Sequence, residues 1–208
     1  MIKRNFSKVL RLAYSLVVMV VKRPRPNFSI ETQFRGLICG IDEAGRGSLA
    51  GPVVAAAVYI DRSLWKRYLK KYPTISKIND SKKISKKNRK KIYDILTKII
   101  SYGIGASSVK EIEEKNILEA SLIAMERAYK SLNINAEMVI VDGINIPKIN
   151  TNVKAIKNGD NKSISIASAS IIAKVIRDKL MEKLSKKYPK FLWEKNSGYG
   201  TKKHGINI

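Results

Sequence analysis

Asp42 and Glu43 stand side by side at the end of an apolar run, and a turn of Gly45, Arg46 and Gly47 follows at once. The chain carries 41 Lys and Arg against 17 Asp and Glu, so adjacent acids closing a buried strand need a reason. Neither carboxylate gains from burial unless it is paired. Asp142 also closes an apolar run, just ahead of Gly143, and Asp160 follows Gly159 and precedes a helix-like segment. Gathered carboxylates repel and raise one another's pKa unless a cation neutralises them. Oxygen-only donors suit Mg²⁺ or Mn²⁺. The chemistry within reach is divalent-metal hydrolysis, which a basic protein would apply to a polyanion.

Each feature also has a plainer use. Asp160 could simply cap a helix, and Asp142 with Gly143 could simply make a turn. The stretch from Gly45 to Ala50 fits G-x-G-x-x-A, the dinucleotide fingerprint, which must open a helix. Here Gly51, Pro52 and the β-branched Val53 and Val54 follow instead. Asp42 and Glu43 would also repel a pyrophosphate at that place. No G-x-x-x-x-G-K-[ST] motif is present.

For these acids to act together, the elements carrying them must end at one place. Consecutive side chains of a strand point to opposite faces. Asp42 and Glu43 therefore share a site only if the strand stops there, and Gly45 and Gly47 supply that break. Apolar runs predict strands over residues 37–42, 53–60, 101–107, 137–141 and 153–156. Helical spacing predicts helices near 86–100, 111–132 and 163–188. Strands alternating with helices make an α/β sheet protein. Ligands of such sheets gather outside the carboxyl ends of the strands. The four acids converge if the strands ending in Asp42 and Asp142 are neighbours.

The composition fits one domain of ordinary size among 208 residues. A net charge of +24 favours an anionic partner. Of the basic residues 30 are Lys and 11 are Arg, a balance suited to backbone phosphates more than to base edges. Seven of the ten residues from Lys82 to Lys91 are basic, read mainly as a solvated helix face. Cys39 is the only cysteine, so no intrachain disulfide can form, which fits a reducing compartment. It reads as a small core residue. Residues 1–33 read as a basic extension outside the core, with organelle targeting as the alternative, and the catalytic domain as residues 34–208. The ten mostly apolar residues from Leu12 to Val21 are too few to span a bilayer. No stable membrane insertion is expected, and the expected location is the cytoplasm.

The chain closely resembles bacterial type 2 ribonuclease H. The matching pieces are residues 40–47, residues 49–54, and Asn79 to Lys83. Val141 to Gly143, Asn158 to Asp160, Ser165 to Lys174 and Gly198 to His204 follow in the family's order. The resemblance implies a ribonuclease-H-like α/β fold, a mixed central sheet flanked by helices with a helical C-terminal part. It implies a monomeric endonuclease cutting the RNA strand of RNA–DNA hybrids and single ribonucleotides embedded in duplex DNA, leaving 3′-hydroxyl and 5′-phosphate ends. Asp42, Glu43, Asp142 and Asp160 match the family's metal-binding acids, which hold two ions during catalysis. Gly45, Arg46 and Gly47 match the turn that contacts the 2′-hydroxyl and the junction phosphates. Tyr199 matches the tyrosine that stacks by the deoxyribose after the ribonucleotide. Ser81 and Lys82 are expected phosphate contacts. Ser48 stands where the family usually carries Pro, which predicts a looser turn. The chain ends at Ile208, where relatives continue into a further helix, which predicts a weaker substrate grip. A non-catalytic basic nucleic-acid-binding protein is the alternative.

Overall fold

The computed structural model describes residues 25–200. The expectations placed on residues 1–24, and the part of the resemblance that falls on residues 201–204, lie outside the described residues. Strands β1 (Ile38–Ala44) and β2 (Val53–Tyr59) come first, then helices α1 (Trp65–Lys71) and α2 (Lys86–Ile99) and strand β3 (Ser101–Ser107). Helix α3 (Val109–Leu132), strands β4 (Met138–Asp142) and β5 (Asn152–Ile156), helix α4 (Ile164–Lys187) and the short α5 (Trp193–Asn196) follow. The sheet order is β3, β2, β1, β4, β5. The first three strands are antiparallel neighbours, while β4 runs parallel to both β1 and β5. This is the mixed sheet flanked by helices, with a helical C-terminal part, that the resemblance implies.

Both faces of the sheet are covered, so the central strands are apolar on both sides. On β2, Val53, Ala55 and Ala57 share a core with Ala124, Met125 and Ala128 of α3. Ala56 and Val58 share the opposite core with Ile171 and Ile172 of α4 and Ile92 and Leu96 of α2. Each fully buried Ile or Val stabilises the fold by about 1.5–3 kcal/mol. β1 alternates likewise, with Cys39 and Ile41 on the α3 side. Burial pushes the Cys39 thiol up to about 12, which leaves it an inert packing group. Gly40 lies on the α4 side, where a Cβ would stand 2.6 Å from the Ser165 backbone. The missing side chain lets α4 lie directly on β1.

Two expectations need correction. The periodicity predicts one unbroken helix over 111–132, but Asn116 adopts φ 69° and kinks α3. Its side chain accepts from the backbone N–H groups of Leu118 and Glu119 and so caps the second half. The basic extension was expected to run to residue 33, yet its last residues are packed. Phe28 meets Trp65 edge-on at 5.6 Å. Glu31 is 1% exposed and accepts from the Ser163 hydroxyl at 2.7 Å and the Ser165 N–H at 3.0 Å. An acid at the N-terminus of α4 also suits the helix dipole, which is why this segment is anchored there.

Candidate active site

β1 and β4 pair in parallel from Ile38 with Met138 to Ile41 with Val141. Asp42 and Asp142 are the next residue on each strand, so both leave the sheet at the same end. Asp160 comes from the 3₁₀ turn Gly159–Asn161 between β5 and α4. The Gly159 N–H donates to Asp142 Oδ1 at 2.6 Å and ties that turn to β4. One oxygen from each of Asp42, Asp142 and Asp160 lies within 4.8 Å of the others. Glu43 stands outside this trio but lines the same cleft.

The strand does not stop at the two acids as expected. β1 runs on to Ala44, with Glu43 opposite Ala55 and Ala44 opposite Val54 of β2. What ends is the pairing with β4, so beyond Ile41 one edge of β1 is open. At that open edge Asp42 and Glu43 reach one cleft although they leave opposite faces. Asp42 lines the cleft together with Ser170 of α4, and its Oδ1 accepts from the Glu43 N–H at 2.8 Å.

The electrostatics are those of buried carboxylates that repel one another. Burial, then the charges of Glu43 and Asp142, push Asp42 well above the usual carboxylate range. Burial also raises Glu43, against the pull of Arg46 and Lys82. Burial, then Asp142 and Asp80, push Asp160 up to about 6. Among the described residues none of the four acids forms an ion pair. Oxygen donors from three separate segments, mutually repelling and held in no ion pair among the described residues, fit a divalent cation.

The other sequence-predicted residues, Gly45, Arg46, Gly47, Ser81, Lys82 and Tyr199, line the same cleft. Ser81 is 4% exposed and its hydroxyl accepts from Ser170 at 3.0 Å. The segment after Gly45 is a turn that leads into β2, so no helix opens there and the dinucleotide reading falls. The Ser48 turn is not loose. Its hydroxyl donates to the Gly45 carbonyl at 2.6 Å and accepts from Arg177 at 2.6 Å. Sequence reasoning missed Ser170, Lys174 and Arg177 of α4. Lys174 lines the cleft, pairs with Asp178 at 2.7 Å and stands 4.8 Å from the Tyr199 ring centre. The signal was available: these three polar residues recur at helical spacing within an otherwise apolar stretch.

A family model described as Ribonuclease HII matches residues 39–208. The ribonuclease HII of Wolbachia pipientis subsp. Culex pipiens is 49% identical over 180 residues, covering 86% of this chain and 87% of the relative. The chain belongs to the ribonuclease HII family. The ribonuclease HII of Ehrlichia chaffeensis is 50% identical over 186 residues, covering 86% of each chain. Among solved structures, the ribonuclease H2 of Pyrococcus horikoshii OT3 superposes with a TM-score of 0.68 at 30% identity. That match covers 83% of this chain and 84% of the archaeal one. As a ribonuclease HII the chain is an endonuclease of RNA–DNA hybrids, in a family that depends on divalent metal. The alternative of a non-catalytic binding protein is not favoured. No helix among the described residues is long and apolar enough to cross a membrane.

Proposed function

We propose that this ribonuclease HII cuts 5′ to single ribonucleotides embedded in duplex DNA, as well as within the RNA strand of hybrids, using Mg²⁺ or Mn²⁺. The observation that carries the reading is the trio of aspartate oxygens within 4.8 Å in a protein of net charge +24. Asp42, Asp142 and Asp160 hold the cations, with Glu43 completing the set from the same cleft. Bound there, divalent cations supply a Lewis acid at the scissile phosphate and lower the pKa of water. The remaining work belongs to the chain itself. Backbone amides of Gly45 and Gly47 can approach the 2′-hydroxyl, the group that separates RNA from DNA. Arg46, exposed at the rim, holds a phosphate, and Lys82 and Ser81 contact the backbone on the other side. Tyr199 stacks against the deoxyribose that follows the ribonucleotide. The products carry 3′-hydroxyl and 5′-phosphate ends.

The test is incubation with duplex DNA containing one ribonucleotide, with Mg²⁺, with Mn²⁺ and with chelator. The expected result is one cut 5′ to the ribonucleotide, lost with chelator. Cleavage that persists in chelator, or cuts at random, would overturn the reading.

A further inference from the structure

Arg177 is 0% exposed, and its nearest acidic neighbour along α4, Asp178, is engaged by Lys174. Its partners are neutral and come from three different segments. Nε donates to the Pro52 carbonyl at 2.9 Å, at the entry to β2. Nη2 donates to Ser48 Oγ at 2.6 Å and to the Ala50 carbonyl at 2.9 Å, both in the glycine-rich turn. Nη1 donates to the Ser197 carbonyl at 2.7 Å, two residues before Tyr199. The guanidinium carbon lies 5.5 Å from the centre of the Tyr199 ring.

The packing around this fork is close. A Cβ on Gly45 would stand 2.4 Å from Arg177 Nε, and one on Gly51 would stand 2.4 Å from Met181 Sδ. The turn and the C-terminal segment also meet directly, since the Leu49 and Ala50 N–H groups donate to the Gly198 carbonyl at 2.9 and 3.2 Å. A planar fork with fixed donor directions sets distances between its acceptors, which a flexible ammonium would not. Arg46 and Gly47 immediately precede the turn residues that Arg177 holds, Tyr199 follows Ser197 by two residues, and all three line the same cleft.

We infer that Arg177 is a positioning residue, fixing the spacing between the Gly45–Gly47 turn and Tyr199 and thereby the preference for a ribonucleotide followed by a deoxyribonucleotide. This rests on the roles given to the turn and to Tyr199 under Proposed function. A strand carrying one ribonucleotide needs both contacts at once, the 2′-hydroxyl at the turn and the deoxyribose at the ring. A strand of RNA throughout presents a 2′-hydroxyl beside Tyr199 and cannot use that pairing in the same way. A misplacement of about 1 Å at such a site can cost on the order of 100-fold in rate.

The experiment compares kcat/KM on duplex DNA with one ribonucleotide against kcat/KM on a duplex whose cut strand is RNA throughout. Arg177→Met should lower that ratio by on the order of 100-fold, and Mn²⁺ binding measured by calorimetry should be unchanged, since Arg177 touches none of the acids. Tyr199→Ala should lower the same ratio, and the double variant should fall no further, the mark of two residues acting as a unit. Equal loss on both duplexes, or losses that add in the double variant, would overturn the positioning role. If the unaltered chain cuts neither duplex, or Tyr199→Ala leaves the ratio unchanged, the reading of the site falls and this inference with it. Should Arg177→Met fail to fold, Ser48→Ala carries the same test. It removes one of the four hydrogen bonds of Arg177, a charge-assisted one, and should lower the ratio by on the order of tenfold. An unchanged ratio there would overturn the proposal.

Discussion

Helix α4 carries two charged regions about 10 Å apart along its axis, one at Ser170 and one at Arg177, and they are built on opposite logic. At Ser170 the helix faces Asp42, where carboxylates crowd one another, held in no ion pair among the described residues. At Arg177 a buried cation is surrounded by neutral oxygens that satisfy it: three carbonyls and a hydroxyl. Burial lowers the pKa of that guanidinium, yet arginine stays protonated in proteins. The satisfied charge contributes shape, and the unsatisfied charges supply the chemistry. A buried charge is tolerated where hydrogen bonds replace water, and leaving those partners unmade is costly.

The sharpest way to break this contrast is to neutralise one acid. Asp142→Asn should reduce cleavage by on the order of 1,000-fold while duplex binding in a gel-shift assay survives, because phosphate attraction comes from the lysines. Near-normal turnover would detach the aspartates from the chemistry. Stability should then move in opposite directions at the two regions. Arg177→Met orphans four acceptors and should destabilise by about 3 kcal/mol, whereas Asp42→Asn in metal-free protein should stabilise by about 1 kcal/mol, because it relieves the repulsion among the acids. Urea unfolding of both variants in chelator checks the signs, and like signs would end the comparison.

The smallest expected effect concerns pH. Asp160 titrates at about 6 in the fold against 3.8 ordinarily, so the native state holds the extra proton between these values. Its contribution is present below about pH 4 and is lost as pH rises through 6. Glu111, held at about 2 chiefly by its hydrogen bond with Arg127, acts in the opposite sense but lower on the scale. Metal-free protein should therefore melt at a lower temperature at pH 7 than at pH 5, by a margin that shrinks in Asp160→Asn or with saturating Mg²⁺. A margin indifferent to both would place its source outside the acid cluster.

Much of the site was legible because its chemistry is local. Asp42 with Glu43, Asp142 before Gly143 and Asp160 after Gly159 each stand at an apolar-to-polar boundary, and boundaries of that kind are written in hydrophobic periodicity. The strands and the three long helices followed for the same reason. What stayed hidden depends on partners distant in sequence. Ser48 looked like a loss of rigidity because one of the two bonds that hold its hydroxyl comes from Arg177, 129 residues away. Residues 25–33 looked like tail because their value lies in Trp65 and in the N-terminus of α4. The kink at Asn116 was masked by apolar residues that keep their spacing on either side of it.

The amino-acid order alone determined which groups could bind a cation, that the chain alternates strands with helices, and that a polyanion is its natural partner, since these follow from residue type and period. The tertiary structure decided that β1 lies beside β4 in parallel, and that this pairing ends one residue short of Asp42 and Asp142. It also decided that a buried arginine on α4 would bind the turn to the Tyr199 segment. Neighbouring strands and long-range hydrogen bonds are settled by which surfaces bury best together, and no local stretch of sequence encodes that choice.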